Sequence, residues 1–403
     1  MTARAAVSWG KMTGVATSSS DSIPIELDGY VATISAPRDL GQTIRAAFAD
    51  VVRTSGAKLG ANVVVTGTHT DAAITVDGRR WAAGEVDAMI DRLTYVLLRA
   101  SLDSDVQRLH LHAGLVAKAG GGVLIAGFPG SGKSTLVALL VEAGFDYLTE
   151  ERVAIDSEGH LSGLPKPISV VAGSFQSLSQ YDPATTGKGA TSDRLWHIPA
   201  TAIRSGSVVK HASPRVIAFA EYHERAPLDV TEVHPAEAVR LLLADSPDAR
   251  RFGPAALTLV AELCASVRCV RIRYGNSADA QRAIEQQLEN RMDRQTQISP
   301  LQINHSNSRT NGSEPADKHT VLSPEPGLTG VAIGDRSIVT RTTDSEVIEI
   351  DQTSAMWLQL IDGSTELSVI VREVADANDL SIAAVESVAY LVIERLISSG
   401  LIR

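Results

Sequence analysis

The sequence predicts an α/β core built around a phosphate-binding loop, with a small α+β lobe before it and a winged-helix-like α+β module after it. Three observations predict this. The stretch GVLIAGFPGSGKSTLVALLVEAG, Gly122 to Gly144, places an apolar strand, a glycine-rich loop and an amphipathic helix in immediate succession. Strand-like and helix-like segments alternate on both sides of it, out to about Leu288. A polar run without periodicity, Gln297 to Lys318, then sets off the last part of the chain.

The loop meets the pattern G-x-x-x-x-G-K-S at Gly127, Gly132, Lys133 and Ser134. Glycines let successive backbone N–H groups turn onto phosphate oxygens at the positive end of a helix. The whole loop, Gly127, Phe128, Pro129, Gly130, Ser131, Gly132, Lys133, Ser134 and Thr135, is therefore the expected cradle for Mg-ATP. Lys133 is expected on the β/γ-phosphates and the Ser134 hydroxyl on Mg²⁺. The bland reading, a Gly-rich turn with an incidental lysine, does not require a strand before and a helix after.

At 403 residues, with 44% hydrophobic and 21% charged residues, the chain has material for two or three folded units. A formal net charge of −10 argues against a broad nucleic-acid or anionic-membrane surface. No N-terminal signal-type run and no apolar run near the ~20 residues of a membrane helix occur, so a cytoplasmic protein is expected. Cys264 and Cys269 fit neither a zinc site nor a redox pair and read as core residues.

Residues 1–100 carry short apolar runs (Tyr30 to Ser35, Ala61 to Val65, Ala73 to Val76), a helical pattern over Pro37 to Val51, and a helix face of Val86, Met89, Ile90, Leu93 and Leu97. No chemistry is legible there. Residues 101–295 form the phosphate-loop unit. Alternation predicts one strand over Leu109 to Val116, with His110 and His112 on one face, a turn at Gly120 to Gly122, and a hairpin partner at Gly122 to Ala126. Phe145 to Thr149 reads as the next strand, followed at once by Glu150 and Glu151. Two acids just past a strand near such a loop suit metal coordination and proton abstraction; without more context they are equally two solvated surface acids.

From Leu109 to Asp156 the chain resembles the HPr kinase/phosphorylase family of bacterial serine kinases. In that family a histidine precedes the loop's first glycine by fifteen residues, as His112 precedes Gly127, and an acid pair follows the loop lysine by seventeen and eighteen, as Glu150 and Glu151 follow Lys133. The family pair is usually aspartates. The resemblance implies Glu150 as general base toward the acceptor hydroxyl, Glu151 as Mg²⁺ ligand beside Ser134, His112 in support, and assembly into homo-oligomers. The LPKPISVVAGSF stretch also resembles shorter enzymes of this type found beside peptide natural-product genes. The family's glycine-rich signature for the reverse phosphorylase reaction is absent from the sequence.

Further strands are expected at Pro167 to Val171, Val216 to Tyr222, Val230 to Val233 and Val267 to Tyr274, with helices at Pro235 to Ala244, Ala255 to Ser266 and Ser277 to Leu288. Lys166, Arg204, Lys210 and Arg215 are candidate transition-state cations, each read first as a solvated surface charge. Residues 296–320 read as a flexible linker. In 321–403, strands at Val331 to Ile333, Ser337 to Thr340 and Glu346 to Ile350 and helices at Thr353 to Ile361, Leu367 to Ala375 and Ile382 to Ser398 suggest the winged-helix-like fold, with Trp357 as core packing. A DNA-binding winged helix would need a basic stripe that the last helix, with Glu386 and Glu394 beside Arg395, lacks.

VIEIDQTSAMWLQLIDGST and the closing SVAYLVIERLISSGLI resemble the PqqD-like peptide-recognition domains of ribosomal peptide pathways. That resemblance implies a precursor peptide as partner, its leader added as a strand to the sheet edge and packed on the third helix, and other peptide-modifying enzymes as further partners. Together the readings give a kinase that phosphorylates a serine or other hydroxyl of a precursor peptide. Two alternatives stand beside it: a non-catalytic, nucleotide-gated peptide carrier, and a kinase acting on a small molecule.

Overall fold

The computed structural model describes residues 20–53, 61–68, 71–84, 86–191, 195–290, 295–304, 320–341 and 346–403. The first unit comprises β1 (Ser20–Leu27), β2 (Tyr30–Pro37), α1 (Arg38–Ala47), β3 (Ala61–Thr68), β4 (Asp71–Val76), β5 (Arg79–Gly84) and α2 (Val86–Ser104). Its five strands lie in sequence order, and β2 with β3 is the parallel pair, with α1 in the crossover between them. Period-2 alternation puts Ile23, Ile25, Ile34, Val63 and Ile74 in one buried core with Leu40 and Ile44 of α1 and Met89, Ile90, Leu93 and Leu97 of α2. Polar contacts fix this lobe to the next unit: Arg108 Nη1 donates to Asp28 Oδ2 (2.6 Å), and Asp50 accepts from the Thr201 N–H (3.2 Å).

The central unit runs β6 (Leu109–His112), β7 (Gly114–Lys118), β8 (Gly121–Ala126), α3 (Lys133–Glu142), β9 (Asp146–Thr149), β10 (Arg152–Ile155), β11 (Leu161–Gly163), β12 (Ile168–Val171), α4 (Pro183–Thr186), β13 (Ala190–Thr191), β14 (Leu195–Ile198), α5 (Ala200–Ile203), β15 (His211–Tyr222), β16 (Asp229–Glu232), α6 (Pro235–Ala244), α7 (Ala249–Phe252), α8 (Pro254–Ser266), β17 (Arg268–Tyr274) and α9 (Ser277–Glu289). Its main sheet runs β6-β10-β11-β15-β8-β7-β9, with β17 and then β16 attached at β15. The parallel strands β8, β15 and β17 form its middle, and their carboxyl ends meet at the loop. Both faces are covered, as parallel strands require. Leu124, Ile217 and Phe219 pack with α6 and α8, while Val123, Ile125 and Ala218 pack with α3 and α9. Cys264 and Cys269 are free and buried.

The strand expected over Leu109 to Val116 is two strands. Ala113 breaks it, its N–H donating to the Glu151 carbonyl (3.2 Å), because β6 pairs with β10 whereas β7 pairs with β8 and β9. The turn falls at Ala119 and Gly120, both at positive φ (51° and 79°), the geometry of a two-residue hairpin, and not at Gly120 to Gly122.

The last unit holds β18 (Ile298–Pro300), β19 (Leu328–Ile333), β20 (Arg336–Arg341), β21 (Val347–Asp351), α10 (Gln352–Leu360), α11 (Leu367–Asn378) and α12 (Ile382–Ser398). Its antiparallel sheet has the order β18-β19-β20-β21. Leu328, Val339 and Ile350 face the three helices, where Trp357 is buried. Val331, Ile333 and Ile338, on the opposite face, join the core of α6 and α8. His234–Asp335 (3.0 Å) and Arg240–Glu349 (3.5 Å) flank that contact. The linker expected over 296–320 is therefore shorter than its polarity suggests. Ile298 and Leu301 find apolar partners, Ile298–Pro300 becomes an edge strand, and the Gln302 N–H donates to Gln359 Oε1 (3.1 Å). Residues 305–319 lie outside the described residues. Among those described, no helix is long and apolar enough to cross a membrane.

Candidate active site

β8 delivers the chain into the glycine loop and α3 takes it away. Gly132 caps α3 in the left-handed conformation (φ 85°) with no side-chain cap, which leaves the first-turn N–H groups open to an anion. A Cβ at Gly132 would lie 2.6 Å from the Tyr274 hydroxyl, and one at Gly127 would lie 2.7 Å from the Ala220 carbonyl. Only glycine lets the loop lie this close to the ends of β15 and β17. The Ser131 hydroxyl is buried within the loop, close to Gly127, with no hydrogen-bond partner among the described residues. Phe128, Pro129 and Gly130 are exposed, and Thr135 Oγ1 donates to Ser174 Oγ (2.6 Å).

Lys133 folds back along the loop, its Nζ donating to the carbonyls of Gly127 and Phe128, the latter at 3.4 Å. Burial pulls its pKa down, against the carboxylates of Asp245, Glu150 and Glu151, which push it up. Ser134 Oγ donates to Glu150 Oε2 at 2.5 Å.

Glu150 and Glu151 occupy the turn between β9 and β10, which Thr149 Oγ1 fixes by accepting from the N–H groups of Glu151 (3.2 Å) and Arg152 (3.1 Å). Glu150 is buried; its Oε1 accepts from Lys166 Nζ and from the Ser169 N–H (3.2 Å). Lys166 Nζ also lies 3.3 Å from Glu151 Oε2 and 3.1 Å from Ser169 Oγ. Burial pushes the Glu150 carboxyl up, but the Lys166 ammonium and the hydrogen bonds outweigh it and hold the pKa below the usual value. Lys166 is itself held high: burial lowers its pKa and the two glutamates more than compensate.

The reading of Lys166 as a solvated surface charge is thus overturned. It is 2% exposed, because two carboxylates from a neighbouring turn provide the pairing a buried ammonium needs. Arg204 is structural too, its Nη2 donating to the Phe145 carbonyl (2.8 Å) and Asp146 Oδ1 (2.6 Å) behind α3. Lys210 and Arg215 are exposed.

His110 and His112 do share a face of β6. His110 is buried between Asp248 (3.1 Å) and Asp105 (3.3 Å), away from the loop. His112 Nδ1 pairs with Asp245 Oδ2 at 3.0 Å, and both line a cavity of about 290 Å³ with Gly127, Phe128 and Pro129. Sequence reasoning named Lys166 only as one of four candidate cations, read first as surface, and missed Asp245. A lysine between two prolines ahead of an apolar strand was a faint signal for the first; Asp245 follows α6 in what reads as an ordinary helix stop. Ser134, Glu150 and Glu151 present only oxygens, a donor set that fits a hard cation such as Mg²⁺.

No protein-family model matches the chain, and no curated protein does. Among solved structures, the chain is similar to the Hpr(Ser) kinase/phosphatase from Coxiella burnetii, at 12% identity over 45% of this chain and 93% of that one, with a TM-score of 0.23. At that score the likeness carries no argument, and the functional reading rests on the geometry of the site.

Proposed function

We propose that the chain is an ATP- and Mg²⁺-dependent kinase that phosphorylates a serine or other hydroxyl of a ribosomally made precursor peptide. The supporting observation is the cluster of loop serine, buried glutamate and buried lysine at the uncapped start of α3. Loop amides and Lys133 hold the triphosphate; Ser134 and Glu150 hold Mg²⁺, which when bound neutralises charge on the β- and γ-phosphates. This reverses the roles that the resemblance implies for the two acids. A buried carboxylate held ionised against the loop serine suits a cation better than a proton. Glu151, half-buried at the rim, orients the acceptor hydroxyl and takes its proton as the acceptor oxygen bonds the γ-phosphorus and ADP leaves. His112, oriented by Asp245, supports the acceptor side.

The leader peptide adds to the outer edge of β21, with which no described strand pairs, while β18 covers the opposite edge of that sheet. Arg395 Nη1 donates to Asp351 Oδ2 (2.6 Å) and ties α12 to the end of β21, and Val388 and Leu391 lie exposed along that helix. These features support the winged-helix-like, PqqD-like reading of the last unit.

The nucleotide-gated carrier is the second reading, in which the same loop and acids serve nucleotide and metal binding alone and no phosphate is transferred. Incubating the full chain with Mg-ATP and a precursor peptide, followed by intact mass measurement, separates the readings. A phosphate on the peptide supports the kinase; nucleotide binding with an unmodified peptide supports the carrier.

A further inference from the structure

We infer that the cavity beside the start of the loop is an acceptor subsite for an apolar side chain next to the phosphorylated hydroxyl; this rests on the kinase reading above. Its position carries the first step. A loop lysine of this kind reaches the β/γ-phosphates, and Lys133 Nζ lies at the carbonyls of Gly127 and Phe128. The transferred end of the triphosphate therefore belongs at the start of the loop, where the cavity of about 290 Å³ opens.

Its lining carries the second step. One wall is Ala126 and Phe219 at the ends of β8 and β15, and the other is Leu241, Leu242 and Ala244 of α6. Phe128, 75% exposed, stands at the mouth. A phosphate or acidic side chain placed against these apolar walls would lose its hydration without gaining partners from them, whereas an alkyl or aromatic group would bury apolar area.

Charge carries the third. Of the two cations in the lining, Arg271 pairs with Glu221 (3.0 Å) and Glu237 (2.8 Å), and Arg240 lies 3.5 Å from Glu349. Glu221 and Asp245 stand in the same lining, so the two cations are balanced there and draw no second anion. His112 and Asp245 add polar groups on the β6 side, within reach of a hydroxyl. The occupant is thus amphipathic, a hydroxyl toward the loop with a neutral apolar side chain one residue away.

The test uses the full chain with Mg-ATP and synthetic peptides carrying one serine, whose neighbours are leucine, phenylalanine, alanine, aspartate or lysine. High peptide concentrations remove the need for a leader. Leucine- or phenylalanine-flanked serine should exceed aspartate-flanked serine in kcat/KM by at least about 10-fold. Ala244→Phe, which fills the cavity, should bring that ratio toward one, and Leu241→Ala, which enlarges it, should shift preference from leucine toward phenylalanine. A ratio taken within one variant does not depend on how much of it folds. Equal rates across the wild-type series overturn the subsite and leave the kinase reading standing. Transfer to no peptide, with nucleotide bound, overturns both.

Discussion

Lys166→Met removes the ammonium between Glu150 and Glu151 at nearly constant volume. Glu150 would then be a buried carboxylate with two neutral donors, Ser134 Oγ at 2.5 Å and the Ser169 N–H at 3.2 Å. Breaking one side of a buried pair costs about 3–5 kcal/mol, mostly the desolvation of the charge left behind. For a unit of about 200 residues that is a fall of roughly 6–20 °C in Tm. Adding Glu150→Gln to Lys166→Met should restore most of it, because a neutral replacement of both partners is close to neutral overall. The loss must also depend on pH. In the wild type the Glu150 pKa lies below the ordinary 4.5 and the Lys166 pKa above the ordinary 10.5, so the pair stabilises fully between those ordinary values, and the gain fades as pH falls through the lowered Glu150 pKa or rises through the raised Lys166 pKa. Without the ammonium, burial raises the Glu150 pKa. The wild-type advantage should therefore be largest near neutrality and shrink toward pH 4. Thermal melts of wild type, single and double variants across pH decide it. A single variant that melts with the wild type at neutral pH, or a double variant no better than the single, refutes the reasoning.

Glu150→Gln should raise the Mg²⁺ concentration for half-maximal activity, with partial rescue by excess metal, while Glu151→Gln should keep Mg-ATP affinity and lose transfer; metal titrations showing the reverse restore the roles that the resemblance implies. Lys133→Ala should keep the circular dichroism of the wild type but lose turnover, since the side chain meets the loop carbonyls; wild-type turnover would sink the loop assignment. Removing 320–403 should raise the KM for peptide, lower kcat and lower Tm, because it uncovers the core that Val331, Ile333 and Ile338 complete, at about 1.5–3 kcal/mol per buried side chain. An unchanged melt with unchanged kcat would show the module to be merely tethered.

What was legible in the sequence was what short-range chemistry dictates. The strand into the loop, the glycines and the helix after it are local, and β15 was read from Val216 onward because its apolar run begins there. Its first residues, His211 to Arg215, alternate poorly and are held by pairing with β11 and β8, which no local pattern announces. Lys166 looked like surface because a lysine is buried only where opposite charge meets it, and that charge arrives from the turn after β9. The docking of the last sheet had a signal that went unread. Val331, Ile333 and Ile338 alternate with Leu328 and Val339, so both faces of the sheet are apolar, which a freely tethered module has no reason to be.

On the kinase reading, that docking makes α6 the element common to recognition and chemistry. Its buried residues Ala236, Val239 and Leu243 share a core with Val331, Ile333 and Ile338; Arg240 reaches Glu349 on β21; Leu241 and Ala244 line the cavity; and Asp245 beyond its end orients His112. α6 meets β21 through Arg240 and Glu349, and Arg240 also lines the cavity, so on the kinase reading a leader strand on β21 and an acceptor at the loop lie against the same half of one helix. On the kinase reading, the concentration of acceptor at the loop is then set by the substrate's own spacer and by a fixed α6, not by the 305–319 segment of the enzyme. Lengthening a substrate spacer costs little, since closure entropy grows only by about 0.6 kcal/mol per doubling. Shortening it until it no longer bridges β21 and the loop leaves the hydroxyl unable to reach Glu151 while the leader stays bound.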